Sequence, residues 1–551
     1  MKKILVAFLV LLSIDIYAQE LLFSRSRIIL GLKKDIHKTV NHLNELEELN
    51  FLFDENTVLE VKKLNVSSSK TLNGNPLVVV FESDVNIISL IKTLKETNLF
   101  DYVEPDYISH GSGMKQNENL DLSESFTPLS TTPNDQFFFR QWGLNNNGTF
   151  SLSLSVLDAD VDMVEAWDIT TGSSSIVMAV LDSGIKMDHP EFSGRFWFNT
   201  EEQSNGLDDD SNGYIDDFSG WDFVNNDNDP TDDHGHGTNV TGIAVANANN
   251  GIGYAGIDWN CKLLPLKVLN QNNSGFNSNI ISSIYYAVNR GVDVISISIG
   301  GSGFSLAYEN AVNFAYDQNI PVIACMMNFN NSISYYPAAF TNSIAVGSTD
   351  PNDFRSVPFF WNTASGSNYG NHIDVVAPGN FIYGLSHTSN TNYGSYWGGT
   401  SQATPLVSGV VSLMLSMNPN LTVTEIRTIL RNTAQDQVGN PTEDISGWDQ
   451  YYGAGRVNAF NALTYLQNLS TNNFSLNNEI NLFPNPTSDI LHLSSGVDEI
   501  HSVSVYDVSG RFVKSFENIK SQIYISDLES GVYFLHFNID GKKAIKKVVK
   551  K

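Results

Sequence analysis

Two hydrophobic patterns follow one another through the middle of the chain. Residues 176–181 are all apolar, which is typical of a strand that is buried on both faces of a parallel sheet. Between Ala403 and Met414, apolar residues recur with helical spacing directly after a glycine-rich turn that ends at Ser401. The sequence therefore predicts a buried strand early in this region and, later, a helix that begins close to Ser401.

The part of the chain before this region carries shorter patterns. Leu77–Phe81 is a candidate strand, because it is a short apolar run of β-branched and aromatic residues. Ile87, Ile91 and Leu94 form the apolar stripe of a helix. Residues 19–107 are therefore predicted to form a small α+β domain.

Two polar segments divide the rest of the chain. Residues 108–132 are rich in Ser, Thr, Asn, Gly and Pro without periodicity, and we interpret them as an exposed linker that is cut during maturation. Residues 469–480 form a second polar linker. Beyond it, residues 481–551 contain short alternating strands separated by turn residues, which predicts a small β-sandwich.

Residues 1–18 have the three parts of a secretory signal peptide. Lys2 and Lys3 precede an apolar run from Ile4 to Leu12, and a small residue, Ala18, ends the segment. The apolar run is too short to span a bilayer, so a membrane anchor is the weaker interpretation. The sequence therefore predicts an exported protein.

The charge and the cysteine content narrow the possible partners. The 551 residues include 60 acidic and 32 basic side chains, which gives a formal net charge of −28. This balance argues against a nucleic-acid partner and suits a surface that binds cations. The two cysteines, Cys261 and Cys325, both lie in strand-like apolar runs, so we expect two buried thiols rather than a disulfide.

Three separated segments carry residues suited to nucleophilic catalysis. Ser401 lies at the predicted start of a helix, where the helix dipole and backbone N–H groups can stabilise an oxyanion. Asp182 follows the buried strand, at the edge where open α/β sheets place their sites. His236 lies between two glycines at the start of another candidate helix, and His234 is the competing histidine. Each segment alone could be an ordinary turn or cap, so the assignment needs all three.

Together the three segments resemble the catalytic motifs of the subtilases, the subtilisin-like serine proteases. Gly399–Gly409 fits the pattern G-T-S-x-A-T-P-x-V-x-G at every fixed position, and Gly235–Gly242 fits G-H-G-T-x-V-x-G. Asp182, His236 and Ser401 also occur in the chain order of subtilisin. The resemblance is therefore carried by specific motifs in a specific order.

The resemblance covers about residues 133–468 and implies both a fold and a reaction. The implied fold is an α/β catalytic domain in which helices flank a parallel sheet. His236 would take the proton of Ser401 as the serine attacks a carbonyl carbon, and Asp182 would hold the imidazole in the correct tautomer. The implied substrates are proteins or peptides, hydrolysed through an acyl-enzyme without an organic cofactor.

The family's oxyanion-hole and substrate-binding segments also have counterparts. By resemblance, Asn328 stabilises the oxyanion beside the Ser401 N–H. Ser298, Ile299 and Gly300 would line the S1 side of the cleft and pair with an extended substrate backbone.

Met327 departs from the family pattern, in which a glycine usually precedes the asparagine. A methionine would be strained there if the position has a positive φ. This departure supports an alternative function, a catalytically weak subtilase fold that acts as a surface-binding protein, although the three complete motifs count against it. A lipase or esterase is a further alternative, but the G-x-S-x-G elbow is missing around Ser401.

Two acidic loops ahead of His236 are candidate calcium sites. The first spaces oxygen ligands as an EF-hand does, with glycine at the sixth position but serine at the twelfth, where a glutamate is expected. The second resembles a calcium loop of thermitase-like subtilases. Crowded hard oxygen ligands suit calcium better than zinc, although a solvated acidic turn is the alternative for the first loop. The predicted ligands are Asp208, Asp210, Asn212, Tyr214 and Asp216 in the first loop and Asp222, Asn225 and Asp227 in the second.

Both terminal domains resemble parts of secreted proteins. Phe100–Tyr107 is similar to the end of a subtilase propeptide, which implies that residues 19–107 assist folding and then inhibit the active site; a generic N-terminal domain is the alternative. Residues 481–551 resemble the C-terminal sorting domain of the type IX secretion system of Bacteroidota, and an adhesive or carbohydrate-binding module is the alternative. The sequence thus predicts a secreted or cell-surface serine endopeptidase that contacts the type IX secretion machinery.

Overall fold

The computed structural model of the protein describes most of the chain. The described residues are 22–33, 58–66, 76–118, 132–468, 480–494, 500–507, 512–519, 521–539 and 542–551. The predicted signal peptide, residues 119–131 of the first predicted linker and residues 469–479 of the second lie outside them. Among the residues described, no helix combines the length and the apolar character needed to cross a membrane.

The first described segments form a small α+β unit, in agreement with the patterns before residue 107. Its elements are β1 (Phe23–Leu32), β2 (Val58–Lys63), β3 (Pro76–Phe81), α1 (Ile87–Glu96), β4 (Phe100–Gly111) and β5 (Met114–Asn117). β1 lies between β3 and β4 and pairs with both in the antiparallel sense, while β2 adds to β3. The predicted stripe of Ile87, Ile91 and Leu94 is buried against this sheet.

A seven-stranded parallel sheet forms the centre of the large middle region. The strands of this region are β6 (Val177–Asp182), β7 (Trp221–Asp222), β8 (Lys262–Lys267), β9 (Ser274–Phe276), β10 (Val294–Ile297), β11 (Ile299–Gly300), β12 (Val322–Cys325), β13 (Ser343–Thr349), β14 (Val375–Pro378), β15 (Ile382–Gly384) and β16 (Ser395–Gly398). The sheet has the order β14-β13-β12-β10-β6-β8-β7. The predicted buried strand is confirmed as β6, which lies inside the sheet.

Helices cover both faces of this sheet. They are α2 (Met163–Trp167), α3 (His236–Val245), α4 (Asn277–Asn289), α5 (Leu306–Asp317), α6 (Thr400–Met417) and α7 (Val423–Thr433), with short 3-10 turns at Phe138–Arg140 and Pro190–Phe192. Met178 and Val180 of β6 pack with α3 and α6 on one face, whereas Ala179 and Leu181 pack with α4 and α5 on the other. The burial of both faces explains why β6 shows no polar alternation.

The predicted exposed linker is wrong for residues 108–118. β4 continues without interruption through Gly111 and pairs antiparallel with β9 and β11 of the middle region, and β5 pairs antiparallel with β16. Backbone hydrogen bonds to neighbouring strands hold this segment, and such bonds leave no apolar signature in the side chains. The division of the chain into domains at these boundaries otherwise stays a prediction.

The last part of the chain is a β-sandwich, as predicted. Its strands are β17 (Asn481–Phe483), β18 (Ile490–Ser494), β19 (Ile500–Asp507), β20 (Phe512–Ile519), β21 (Gln522–Tyr524), β22 (Gly531–Ile539) and β23 (Lys542–Lys550). One antiparallel sheet has the order β17-β18-β21 and the other β20-β19-β22-β23. Leu491 and Ile523 from the first sheet share a core with Val503 and Leu535 from the second.

Candidate active site

Asp182, His236 and Ser401 lie together at the carboxyl edge of the parallel sheet. Asp182 ends β6, His236 begins α3, and Ser401 lies in the first turn of α6. The Nδ1 atom of His236 is 2.7 Å from Oδ1 of Asp182, and all three side chains are fully or almost fully buried. The competing His234 lies beside His236, with its ring centroid 6.4 Å from the His236 ring.

The small residues of the motifs allow these elements to approach each other. A Cβ atom at Gly237 would overlap the carbonyl oxygen of Gly184, two residues after Asp182. The first turn of α3 can therefore lie directly against the loop that follows β6 only if residue 237 is glycine. This contact brings the imidazole within hydrogen-bond distance of the carboxylate.

The environment of His236 favours its protonated form. Burial alone would lower its pKa, but the charge of Asp182 and the hydrogen bond to it act in the opposite direction and leave the pKa raised. Asp182 also accepts a hydrogen bond from the Ser183 N–H at 2.7 Å, which fixes the carboxylate. An imidazole held in this way carries its proton on Nδ1 when neutral and presents Nε2 as a base.

Ser112, which belongs to the same chain, lies between His236 and Ser401. Its carbonyl oxygen is 2.9 Å from Nε2 of His236, and its Oγ is 2.6 Å from Oγ of Ser401. The Ser401 hydroxyl also donates to the carbonyl oxygen of Ser298 at 2.9 Å. The candidate base and the candidate nucleophile are therefore both in contact with a segment that precedes the large middle region.

The three predicted substrate-binding residues hold this segment as an extended strand. Ile299 is paired with Gly111 and Gly300 with His110, and the Ser112 N–H donates to the carbonyl oxygen of Ser298 at 3.3 Å. Beyond Ser112, β5 pairs with β16, so the chain crosses the whole cleft. Ser298, Ile299 and Gly300 thus bind an extended peptide backbone in this structure.

Asn328 follows β12 and projects into the same cleft. Its Oδ1 accepts hydrogen bonds from the N–H of Thr400 at 2.8 Å and from the Thr400 hydroxyl at 3.0 Å. Its Nδ2 consequently faces Gly399 on the other side, next to the start of α6. The side-chain amide is therefore oriented as a donor beside Ser401.

Met327 has the backbone conformation that the sequence analysis identified as unfavourable for methionine. Its φ is +71°, in the left-handed region, and its side chain is 3% exposed. The Asn368 N–H donates to its carbonyl oxygen at 3.0 Å, which helps to hold the backbone in place. Such a conformation costs about 1–2 kcal/mol for a residue other than glycine.

The first acidic loop brings together only part of its predicted ligand set. Oxygen atoms of Asp208 and Asp210 lie within 4.8 Å of each other and of an oxygen of Glu202, which the sequence analysis missed. The Asn212 amide N–H₂ donates to Asp210 at 3.0 Å, whereas the carboxylate of Asp216 accepts hydrogen bonds from the backbone of residues 205 and 206. Tyr214 places its ring in the apolar core, so only its backbone carbonyl oxygen, the usual ligand at the seventh position of such a loop, is available for a metal ion. Glu202 could have been suspected from the acidic pair at 201–202.

The second acidic loop is closed by its own hydrogen bonds. Asp222 accepts from the N–H groups of Val224 at 2.7 Å and Asn225 at 2.9 Å, and from the Asn225 side chain at 2.8 Å. Asp227 pairs with Asp222 through the backbone. The loop is compact, and its role as a calcium site stays a prediction.

Asp135 and Glu191 are two further buried acids that the sequence analysis did not identify as a pair. Within the described part of the chain, neither Oδ1 of Asp135 nor Oε1 of Glu191 has a hydrogen-bond partner, although both atoms are buried. Burial raises the pKa of Asp135 to about 6, and burial together with the charge of Asp135 raises the pKa of Glu191 to about 8. Two such carboxylates have the donor chemistry of a hard cation site.

Comparisons with known proteins agree with this geometry. Residues 173–455 match the model of the subtilase family, and residues 481–551 match that of the secretion system C-terminal sorting domain. Thermitase from Thermoactinomyces vulgaris is 36% identical over 335 residues, which are 61% of this chain and 100% of thermitase. A thermophilic serine proteinase from Bacillus sp. strain AK1 is 34% identical over 381 residues, which are 69% of this chain and 77% of that protein.

A solved structure has a similar fold. The crystal structure of fervidolysin from Fervidobacterium pennivorans, a keratinolytic enzyme related to subtilisin, covers 94% of this chain and 71% of its own, with a TM-score of 0.56 and 19% identity. The C-terminal sorting domain indicates type IX secretion to the cell surface or the extracellular space. Because the subtilase model matches more than half of the 551 residues and thermitase is matched over its full length, this chain belongs to the subtilase family of serine endopeptidases.

Proposed function

We propose that this protein is a secreted endopeptidase in which Asp182, His236 and Ser401 hydrolyse peptide bonds through an acyl-enzyme. The observation that carries the proposal is the position of Ser112, whose atoms contact both Ser401 and His236 while its backbone is paired with the substrate-binding strand. An extended polypeptide therefore fits the cleft and reaches the base and the nucleophile together.

The geometry supports the following sequence of steps. Oγ of Ser401 attacks the carbonyl carbon of the substrate, and Nε2 of His236 takes the hydroxyl proton. The negative charge that develops on the carbonyl oxygen is stabilised by Nδ2 of Asn328 and by the Ser401 N–H. His236 then passes its proton to the leaving amine, and the C–N bond breaks. Water, deprotonated by His236, attacks the ester, and the serine leaves with the proton.

We propose further that the N-terminal unit is an intramolecular inhibitor that is cut after Ser112. Glu104 of β4 accepts hydrogen bonds at the start of α5, from the Ser305 hydroxyl at 2.6 Å and the Leu306 N–H at 2.9 Å. Asp106 bridges Arg27 at 2.9 Å and the Ser278 hydroxyl at 2.7 Å. These buried contacts support a docked state in which the Ser112–Gly113 bond lies next to Ser401.

Calcium fits the acidic groups of the catalytic region. We assign the cluster of Glu202, Asp208 and Asp210 and the pair of Asp135 and Glu191 as its candidate ligands, because buried or crowded carboxylates are destabilising without a counter-charge. In the cluster, Arg290 already pairs with Asp210 at 2.6 Å, so this argument applies to Glu202 and Asp208. The ion would supply structural stability and takes no part in the reaction steps above.

We propose that the protein is exported in two steps. A signal peptide at residues 1–18 would take the protein across the inner membrane, and the sorting domain would then direct it to the type IX machinery. This combination supports a source organism among the Bacteroidota.

The mass of the purified chain that begins at Gln19 tests this function, with Ser401→Ala as the matched variant. Incubated with calcium, the parent is expected to split after Ser112, and the variant is expected to stay intact. Labelling by a fluorophosphonate should follow the same pattern. If the parent stays intact and takes up no label, the endopeptidase proposal fails and the surface-binding alternative replaces it.

A further inference from the structure

The side chain of Ser112 shows where the cleft receives the residue that precedes the cleaved bond, the P1 residue. The Ser112 side chain is buried, with its Oγ 3.4 Å from the Thr400 hydroxyl and 3.6 Å from Sγ of Cys325. Together with the contact to Ser401, these distances place it between the end of β12 and the start of α6. The P1 side chain therefore enters the space beside Cys325.

The side chain of Met327 closes this space on the inner side. Its Sδ is 3.7 Å from Sγ of Cys325. A Cβ atom at Gly300 would lie 2.7 Å from the same sulfur and 2.9 Å from Cγ of Met327, so the thioether rests on the Gly300 backbone. Met327 thus spans the gap between β12 and β11, with Tyr335 packed behind it.

The residues around Met327 leave room for its side chain. Gly300 lacks the Cβ atom that would displace the sulfur, and Met327 itself keeps a φ of +71° that favours glycine. The open cleft, of about 760 Å³, has Gly300, Met327 and Tyr335 in its wall on this side. A P1 side chain longer than that of serine would therefore meet the thioether and the tyrosine.

We propose that Met327 determines specificity by narrowing the S1 pocket beside Cys325, so that the enzyme cleaves after small residues such as glycine, alanine and serine. The inference rests on the endopeptidase function proposed above and names its substrate class. A leucine or phenylalanine at P1 must displace Met327 from a packed position, whereas alanine or serine fits beside Cys325. Size selection in a pocket of this kind is worth roughly 10–200-fold in kcat/KM.

The test uses the full chain after self-cleavage, with tetrapeptide p-nitroanilides that differ only at P1. We expect kcat/KM to be at least about 10-fold higher for alanine than for phenylalanine, and we expect Met327→Gly to raise the phenylalanine-to-alanine ratio by roughly 10–200-fold. Equal rates for the two substrates in the parent, or an unchanged ratio in Met327→Gly, would overturn the inference. Fluorophosphonate labelling separates this failure from that of the proposed function: a labelled enzyme with no P1 preference refutes only the pocket, and an unlabelled, inactive parent refutes both.

A second measurement does not depend on added substrates. In the parent, Ser112→Phe should slow self-cleavage by at least about 10-fold relative to Ser112→Ala, and in the Met327→Gly background this difference should shrink. Equally fast self-cleavage of Ser112→Phe and Ser112→Ala in the parent would contradict the proposal.

Discussion

The pair of Asp135 and Glu191 is predicted to make stability depend on pH and on calcium. The pKa of Glu191 is about 8 instead of 4.5, so in the calcium-free protein the folded state keeps a proton that the unfolded state has lost. The folded form is then favoured below pH 4.5 and loses this advantage as the pH rises to 8. At about 1.4 kcal/mol for each pH unit, the loss between pH 5 and pH 8 is about 4 kcal/mol for Glu191 alone.

Calcium should reverse this dependence, because at the proposed site it would bind the ionised carboxylates and stabilise the folded state more as the pH rises. We would measure thermal unfolding in the Ser401→Ala background, which cannot digest itself, at pH 5 to 8 with chelator or calcium. In chelator, Tm should fall by roughly 5–10 °C over this range. In calcium, Tm should stay level or rise.

Glu191→Gln should abolish most of the pH dependence in chelator, because the amide has no charge to desolvate, and should reduce the gain in Tm from calcium. Glu165→Gln removes the same charge from an exposed position outside both candidate calcium sites and is the matched control, with little effect expected. A Tm in chelator that is independent of pH, or a full calcium response in Glu191→Gln, would refute the reasoning.

Three further predictions concern catalysis and strain. Asp182→Asn should lower kcat by roughly 10⁴-fold, since the histidine would no longer be held in the correct tautomer. It should also move the acid limb of the pH–rate profile to lower pH, because the Asp182 carboxylate raises the pKa of His236. An acid limb that does not shift would contradict the role of Asp182. Asn328→Ala should lower kcat by roughly 10²–10³-fold with little change in KM, and a loss confined to KM would exclude the oxyanion role. Met327→Gly should lower the free energy of unfolding, measured by urea titration, by only about 1–3 kcal/mol. Loss of the buried side chain costs about 2–5 kcal/mol, and relief of the backbone strain offsets about 1–2 kcal/mol of this. A loss above about 4 kcal/mol would mean that the Met327 backbone is not strained.

The proposed catalytic residues could be identified, and their proximity predicted, because each lies in a specific local sequence motif. Each of Asp182, His236 and Ser401 lies in a short motif whose small residues permit close approach, as Gly237 does against Gly184. The strand β6 could also be predicted from its apolar run, since both of its faces are buried. Function and fold were therefore predicted from features that lie within a few residues of each other.

The features that were missed depend on contacts between distant parts of the chain. Residues 108–118 were interpreted as a linker because their strands are held by backbone hydrogen bonds to β11, β9 and β16, for which side-chain composition gives no signal. Asp135 and Glu191 meet only in the folded protein, and neither lies in an acidic run. The position of the Met327 side chain against Gly300 likewise appears only when β11 and β12 are brought side by side.

A strand that occupies the cleft of its own chain competes with substrates at an effective concentration set by its tether. For short connections this concentration is of the order of millimolar, and dilution does not change it. If the bond after Ser112 is cut as proposed, the same contacts must hold the segment as a separate molecule, and its occupancy of the cleft then falls as the protein is diluted. On the proposed export route, the dilution that accompanies release from the cell would therefore free the cleft of the cut segment.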